Sequence, residues 1–243
     1  MDAVAGLGTI MGVWAHPDDE SFMAGGLLSM AVANGQQVVC ITATKGEAGV
    51  QDESRWPAAR LGDIRAKELL HALEILGIQA QHWLGYYDGK CAEIADEEAV
   101  PRLASLIEQY KPDTIITFPP DGMTGHPDHQ AVSRWARAAV EQAAHKPAVY
   151  FAVQTQEAYN SFLKAMDEKF NVYFATDHPI FIPESQCDIL LKLSPDVAYK
   201  KACALKAQES QFSGMFEFLG DKGVEFAVGV EGLVSAKNTS FWD

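Results

Sequence analysis

Two short stretches of the sequence set imidazoles beside carboxylates: Ala15-His16-Pro17-Asp18-Asp19-Glu20 and Gly125-His126-Pro127-Asp128-His129. Neither contains a cysteine, so the donor pool is nitrogen and carboxylate oxygen. That pool suits Zn²⁺ with an open coordination position better than a closed structural site, and Fe²⁺ would accept the same ligands. His16 and Asp19 are three residues apart, as are His126 and His129. Each pair can converge on one ion once the chain turns helical at Pro17 or Pro127, the position where proline is favoured. A phosphate or dinucleotide site would place glycines and free backbone N–H groups in such turns, whereas these offer acids and attract a cation. Either turn alone reads as a helix cap, because Asp and Pro favour helix starts. Two of them, each following a buried strand, read as a metal site.

The elements that must carry these turns follow from periodicity and punctuation. Thr9 to Trp14 suits a buried strand, and Ser21 to Asn34 a helix closed by Gly35. Val38 to Thr42 is the next strand, and Lys45 to Trp56 is a polar, glycine-bearing loop of a length that usually serves function. Arg60 to Leu76 is amphipathic and stops at Gly77. Gln81 to Leu84 is a strand leading into a Gly85 to Gly89 turn, and Glu97 to Tyr110 is a helix ended by Pro112. Thr114 to Phe118 is β-branched and aromatic, and Asp128 to Ala144 is helical. This alternation predicts an α/β fold that is Rossmann-like, with a mostly parallel sheet and helices on both faces. Both turns then lie at the carboxyl edge of the sheet, where such folds keep their ligands. Beyond Tyr150 the pattern predicts a helix over Gln156 to Phe170, a strand near Ile189 to Leu193 and a helix from Pro195 to about Gln208; it does not place the tail. The chain reads as a single domain over 1–243, with a core of about 9–150 and a variable substrate-shaping region and C-terminal elements over 151–243, in which the aromatic-rich stretch from Tyr150 to Phe181 is expected to shape the pocket.

Composition narrows the partners. The 243 residues carry 19 basic and 33 acidic side chains, a formal net charge of -14, which repels polyanions and offers no basic stripe for nucleic acid or anionic lipid. A small or neutral substrate fits better. No stretch reaches the length of a membrane span, and Asp2 stands where a signal peptide would carry a basic residue. Cys40, Cys91, Cys187 and Cys203 are scattered and read as reduced thiols of a cytoplasmic protein. A homo-oligomer is compatible with all of this.

The paired turns also resemble those of the PIG-L/LmbE-like deacetylases, which act on N-acetylglucosamine conjugates in thiol-cofactor and glycolipid pathways. The resemblance covers most of residues 9 to 135. It includes Lys45-Gly46-Glu47-Ala48-Gly49, Arg65-Ala66-Lys67-Glu68 with Leu76-Gly77-Ile78, and Tyr86-Tyr87-Asp88-Gly89, in the family's order. It implies that His16, Asp19 and His129 bind Zn²⁺ and that Asp18 is the general base. It further implies that His126 stabilises the oxyanion and protonates the leaving amine, that Asp128 orients His126, and that Arg65 and Asp88 bind sugar hydroxyls. The chemistry is coherent: an ion on two neutral imidazoles and one carboxylate keeps positive charge and acidifies its water, while an unligated carboxylate beside it can take the proton. Tyr86 and Tyr87 could stack on a ring, and Glu47 could order its loop. Arg65 could equally be a solvated residue paired with Glu68. Thr124 stands where some relatives carry a tyrosine, and Gln208 where histidine is common.

The implied function is removal of acetyl from an N-acetylated amino sugar, N-acetylglucosamine or a conjugate of it. Two alternatives stand beside it: an amidase of a thiol S-conjugate at the same site, and a noncatalytic Rossmann-like binding module in which both turns are only caps.

Overall fold

A computed structural model describes residues 3–238 and 240–242. Seven strands form one sheet in the order β3-β2-β1-β4-β5-β7-β6. The first five are β1 (Ile10–Trp14), β2 (Val38–Thr44), β3 (Ala80–Tyr86), β4 (Thr114–Thr117) and β5 (Ala148–Val153), and they pair in parallel. Their crossovers are α1 (Asp19–Ala33), α2 (Ala58–Leu76), α3 (Asp96–Tyr110) and α4 (Pro127–Gln142). β1 is buried at every residue, as a central strand covered on both faces must be. The chain order reverses on the two sides of β1 and β4, so the turns that leave their carboxyl ends flank a crevice.

The C-terminal third departs from the pattern read in the sequence. The stretch expected as one helix over Gln156 to Phe170 is three pieces: α5 (Gln156–Ala158), a π-helical segment Tyr159–Leu163 and α6 (Lys164–Phe170). β6 (Ile189–Lys192) and α7 (Pro195–Lys206) follow. The tail holds α8 (Glu209–Ala227), kinked at Gly220 where φ is 68°, and β7 (Val230–Ser235). β7 runs antiparallel to both β5 and β6, so the sheet is mixed at one side.

α1 starts two residues earlier than the sequence suggests. Pro17 is not its first residue: Asp18 sits outside the helix at φ 108° and the helix begins at Asp19. The second turn behaves as expected, with Pro127 opening α4 after His126. Among the described residues no helix is long and apolar enough to cross a membrane. All four cysteines are unpaired, Cys40 and Cys91 in the core and the other two half-buried.

Candidate active site

The β1–α1 and β4–α4 turns meet across the crevice. His16 Nδ1 lies 3.2 Å from His129 Nε2. Asp19 closes the triangle with its two oxygens, 3.7 Å from His16 Nδ1 and 3.5 Å from His129 Nε2. Ligands held about 2.0–2.1 Å from a tetrahedral ion stand about 3.3–3.4 Å apart, which the two imidazole nitrogens match, while Asp19 borders them with a different oxygen towards each. His126 belongs to the same cluster, its ligand nitrogen within 4.8 Å of those of His16 and His129.

The outer nitrogens explain which lone pairs face inward. His129 Nδ1–H donates to the Gly122 carbonyl at 3.0 Å, which leaves Nε2 as the free donor atom. Its ring stacks on Phe118 with centroids 4.0 Å apart, and Phe118 in turn meets Trp14 edge-on at 5.4 Å. His16 Nε2 faces two carboxylates, Asp88 at 3.0 Å and Asp128 at 3.3 Å. The backbone N–H of His16 donates to Asp19 Oδ2 at 2.7 Å, which holds that carboxylate in place without help from a helical Pro17.

The carboxylates shape the electrostatics. Burial alone would lower the His16 pKa, but the hydrogen bonds it donates to Asp128 and Asp88 and the charge of Asp19 push it up to about 10. His129 moves well below its ordinary value, first through burial and then through the charges of His16 and His126. Burial works to raise Asp88 and Asp128, yet the His16 contact holds both below the usual carboxylate range. Asp18 and Asp19 go the other way, raised chiefly by burial.

Several side chains are spent differently from the sequence reading. Asp128 does not turn its carboxylate to His126: Oδ2 accepts from the Gly89 N–H at 2.7 Å and Oδ1 from the Cys91 N–H at 3.0 Å, with His16 alongside. His126 Nδ1 instead takes the backbone N–H of Asp128 at 3.2 Å, the bond of a helix cap. Arg65 is buried rather than solvated. It donates to Asp18 Oδ2 at 2.8 Å, to the Pro17 carbonyl at 2.7 Å and to the Gly46 carbonyl at 2.9 Å, while Glu68 binds Ser210. Asp88 is buried and accepts the Ala48 N–H at 2.9 Å, and Glu47 takes the Asp88 N–H at 3.3 Å, so Glu47 does tie its loop to the site. Tyr86 packs against Trp135 inside the fold and so is not available as a stacking platform, while Tyr87 is exposed. Thr124 lies 3.5 Å from His129 Nδ1, and Gln208 binds Glu20 and Ser21 in the interior.

Beside Asp18, Asp19 and His129 opens a cleft of about 570 Å³. Much of its wall comes from α6, the segment after it and α8, the region whose pattern was least regular. Its signal in the sequence was the aromatic-rich stretch from Tyr150 to Phe181, which supplies Phe170 and Phe174 to that wall.

Comparison with known proteins identifies the family and the fold. A deacetylase of 1D-myo-inositol 2-acetamido-2-deoxy-alpha-D-glucopyranoside from Mycobacterium sp. (strain KMS) is 32% identical over 226 residues, covering 83% of this chain and 73% of the relative. The N,N'-diacetylchitobiose deacetylase of Pyrococcus horikoshii superposes with a TM-score of 0.65 at 21% identity, over 97% of this chain and 85% of the other. The 4-carboxy-2-hydroxymuconate hydratase of Pseudomonas putida KT2440 superposes almost as well, at 0.63 with 19% identity over 94% and 95%, so the fold by itself does not choose the reaction. The family model for PIG-L, GlcNAc-PI de-N-acetylase, matches residues 11–140, which span β1 to α4 and both histidine-bearing turns, and the chain belongs to that family.

Proposed function

We propose that the chain is a zinc-dependent N-deacetylase that cleaves an N-acetylated amino sugar, N-acetylglucosamine or a conjugate of it, to acetate and a free amine. The observation that carries this reading is the inward pair His16 Nδ1 and His129 Nε2 at 3.2 Å, with Asp19 completing the set and a second carboxylate, Asp18, left outside it on the cleft wall. The named activities of the relatives support the substrate class.

His16, Asp19 and His129 would hold the ion, which when bound supplies Lewis-acid polarisation of the amide carbonyl and a more acidic water. Asp18 takes a proton as general base, and its burial raises its pKa toward the range in which a base works well. Arg65 fixes the Asp18 carboxylate and the Pro17 carbonyl together, so we assign it to positioning rather than to sugar hydroxyls. Asp88 and Asp128 orient His16. His126, with Nδ1 occupied by the Asp128 N–H, carries its proton on Nε2 and would donate a hydrogen bond to the carbonyl oxygen as charge develops; the proton that Asp18 takes from the water is the one passed to the departing amine, in place of the acid role the sequence reading gave His126.

The test is acetate release by the zinc-loaded protein over a panel of N-acetylated sugars and sugar conjugates. The expected result is acetate and primary amine in equal amounts from at least one member. Folded, zinc-loaded protein that releases acetate from none would contradict the reading.

A further inference from the structure

The cleft beside Asp18, Asp19 and His129 has a wall that a bare amino sugar does not call for. Phe22, Trp56, Met123, Met166, Phe174 and Phe212 all line its 570 Å³. Phe22 and Phe212 stack on each other in that wall with centroids 6.1 Å apart, and the thioethers are soft enough to follow the shape of an apolar guest. Phe174 is left 65% exposed, and so offers apolar area whose removal from water would favour binding. Of the charged groups on the lining, Asp18 is paired with Arg65 and Asp19 belongs to the proposed metal set, which leaves Asp52 and Glu217 against Arg55, itself held by Glu209 at 2.6 Å and Glu217 at 3.8 Å. An anionic guest, a phosphodiester included, meets a negative field there and no free guanidinium. The cleft is continuous with the metal donors, so what fills it is attached to the amide that is cut.

We propose that the substrate carries, next to its scissile amide, a neutral apolar substituent that this cleft houses. The inference rests on the deacetylase reading of the same site and adds to it the class of substituent. Two sources supply that chemistry: an acyl chain longer than acetyl, or an apolar aglycone on the sugar.

Two ligand series separate them: glucosamine acylated with acetyl, butyryl, hexanoyl or octanoyl groups, and N-acetylglucosamine as its methyl, butyl, hexyl or octyl glycoside. Binding to the chelated protein is measured by calorimetry and turnover on the zinc-loaded protein. In one series Kd should fall by about fourfold for each methylene buried. Phe212→Ser should flatten that slope, a ratio taken within each protein and so insensitive to its overall stability. Flat binding in both series overturns the proposal, and acetate release from N-acetylglucosamine in that case leaves the deacetylase reading standing. Tightening without hydrolysis of any member supports the apolar subsite while the deacetylase reading fails. A phosphodiester-linked N-acetylglucosamine that binds more tightly than the octyl glycoside also overturns the proposal.

Discussion

Asp18 and Asp19 are neighbours in sequence but answer to different partners, Asp18 to Arg65 at 2.8 Å and Asp19 to the two histidines. Asp18→Asn should keep zinc and lose roughly 10² to 10⁴ in kcat, the scale of a general base. Asp19→Asn should weaken zinc first, with activity partly restored by excess metal. Zinc stoichiometry and kcat over rising zinc separate the two, and the opposite pattern would reverse the roles. His16 sets the pH behaviour. Its folded pKa of about 10 stands above the ordinary 6.5, so its stabilisation of the metal-free fold is complete below pH 6.5 and lost as pH rises through about 10. Zinc takes the neutral imidazole, so binding releases that proton and tightens with pH over the same window. The rise in Tm on adding zinc is expected to widen between pH 6.5 and about 10; a constant rise would remove His16 from the ligand set. The identities of these residues were legible because histidine and aspartate in two similar turns have few other uses. Their pairings were not: that Asp128 reaches His16 and Arg65 reaches Asp18 depends on contacts between segments 112 and 47 residues apart.

At the scale of elements, the site is two strand-to-helix turns braced by the loop after β2. The loop's contact with Arg65 depends on Gly46, which has φ 69° and no room for a side chain, since a Cβ there would run into the Arg65 guanidinium. Gly46→Ala should therefore cost stability by about 1 kcal/mol or more from the backbone alone. By displacing Arg65 from Asp18 it should also lower kcat while zinc content holds. Chemical denaturation with parallel metal analysis checks this, and a variant with full kcat would show that Arg65 does not position the base. Strands β1, β2 and β4 were readable because buried parallel strands are short apolar runs with clear ends. β5 and β7 were not, since Ala148–Val153 is set off from the helix end at Gln142 by only a short polar stretch and Val230–Ser235 begins with Val, Glu and Gly. The expectation of one helix over Gln156 to Phe170 fails where the chain widens to a π-helical turn at Tyr159–Leu163. There Tyr159 stacks on Phe181 at 3.9 Å, a tertiary contact that local periodicity does not contain.

Across the whole molecule, the C-terminal elements are tied to the site helix by a buried ion pair. Lys201 on α7 meets Glu231 on β7 at 2.6 Å, and the Glu231 carboxylate also accepts the N–H groups of Gly26 and Leu27 on α1 at 2.8 and 2.7 Å. Lys201→Met would strand that carboxylate in the interior and should cost about 3–5 kcal/mol, with the zinc content of the folded fraction unchanged. Denaturant unfolding measures it, and a loss below about 1 kcal/mol would mean that the two backbone donors suffice. The net charge of -14 then bears on what approaches the cleft rather than on the fold. The account's central claim is that one ion, held by His16, Asp19 and His129, makes this chain an amide hydrolase. Its most direct test is to titrate chelated protein with zinc while following bound metal and acetate release from the best substrate together. Acetate release should be absent at the start, rise in proportion to occupancy and level off near one equivalent. Full activity in the chelated protein, or a rate indifferent to the first equivalent of zinc, would contradict it.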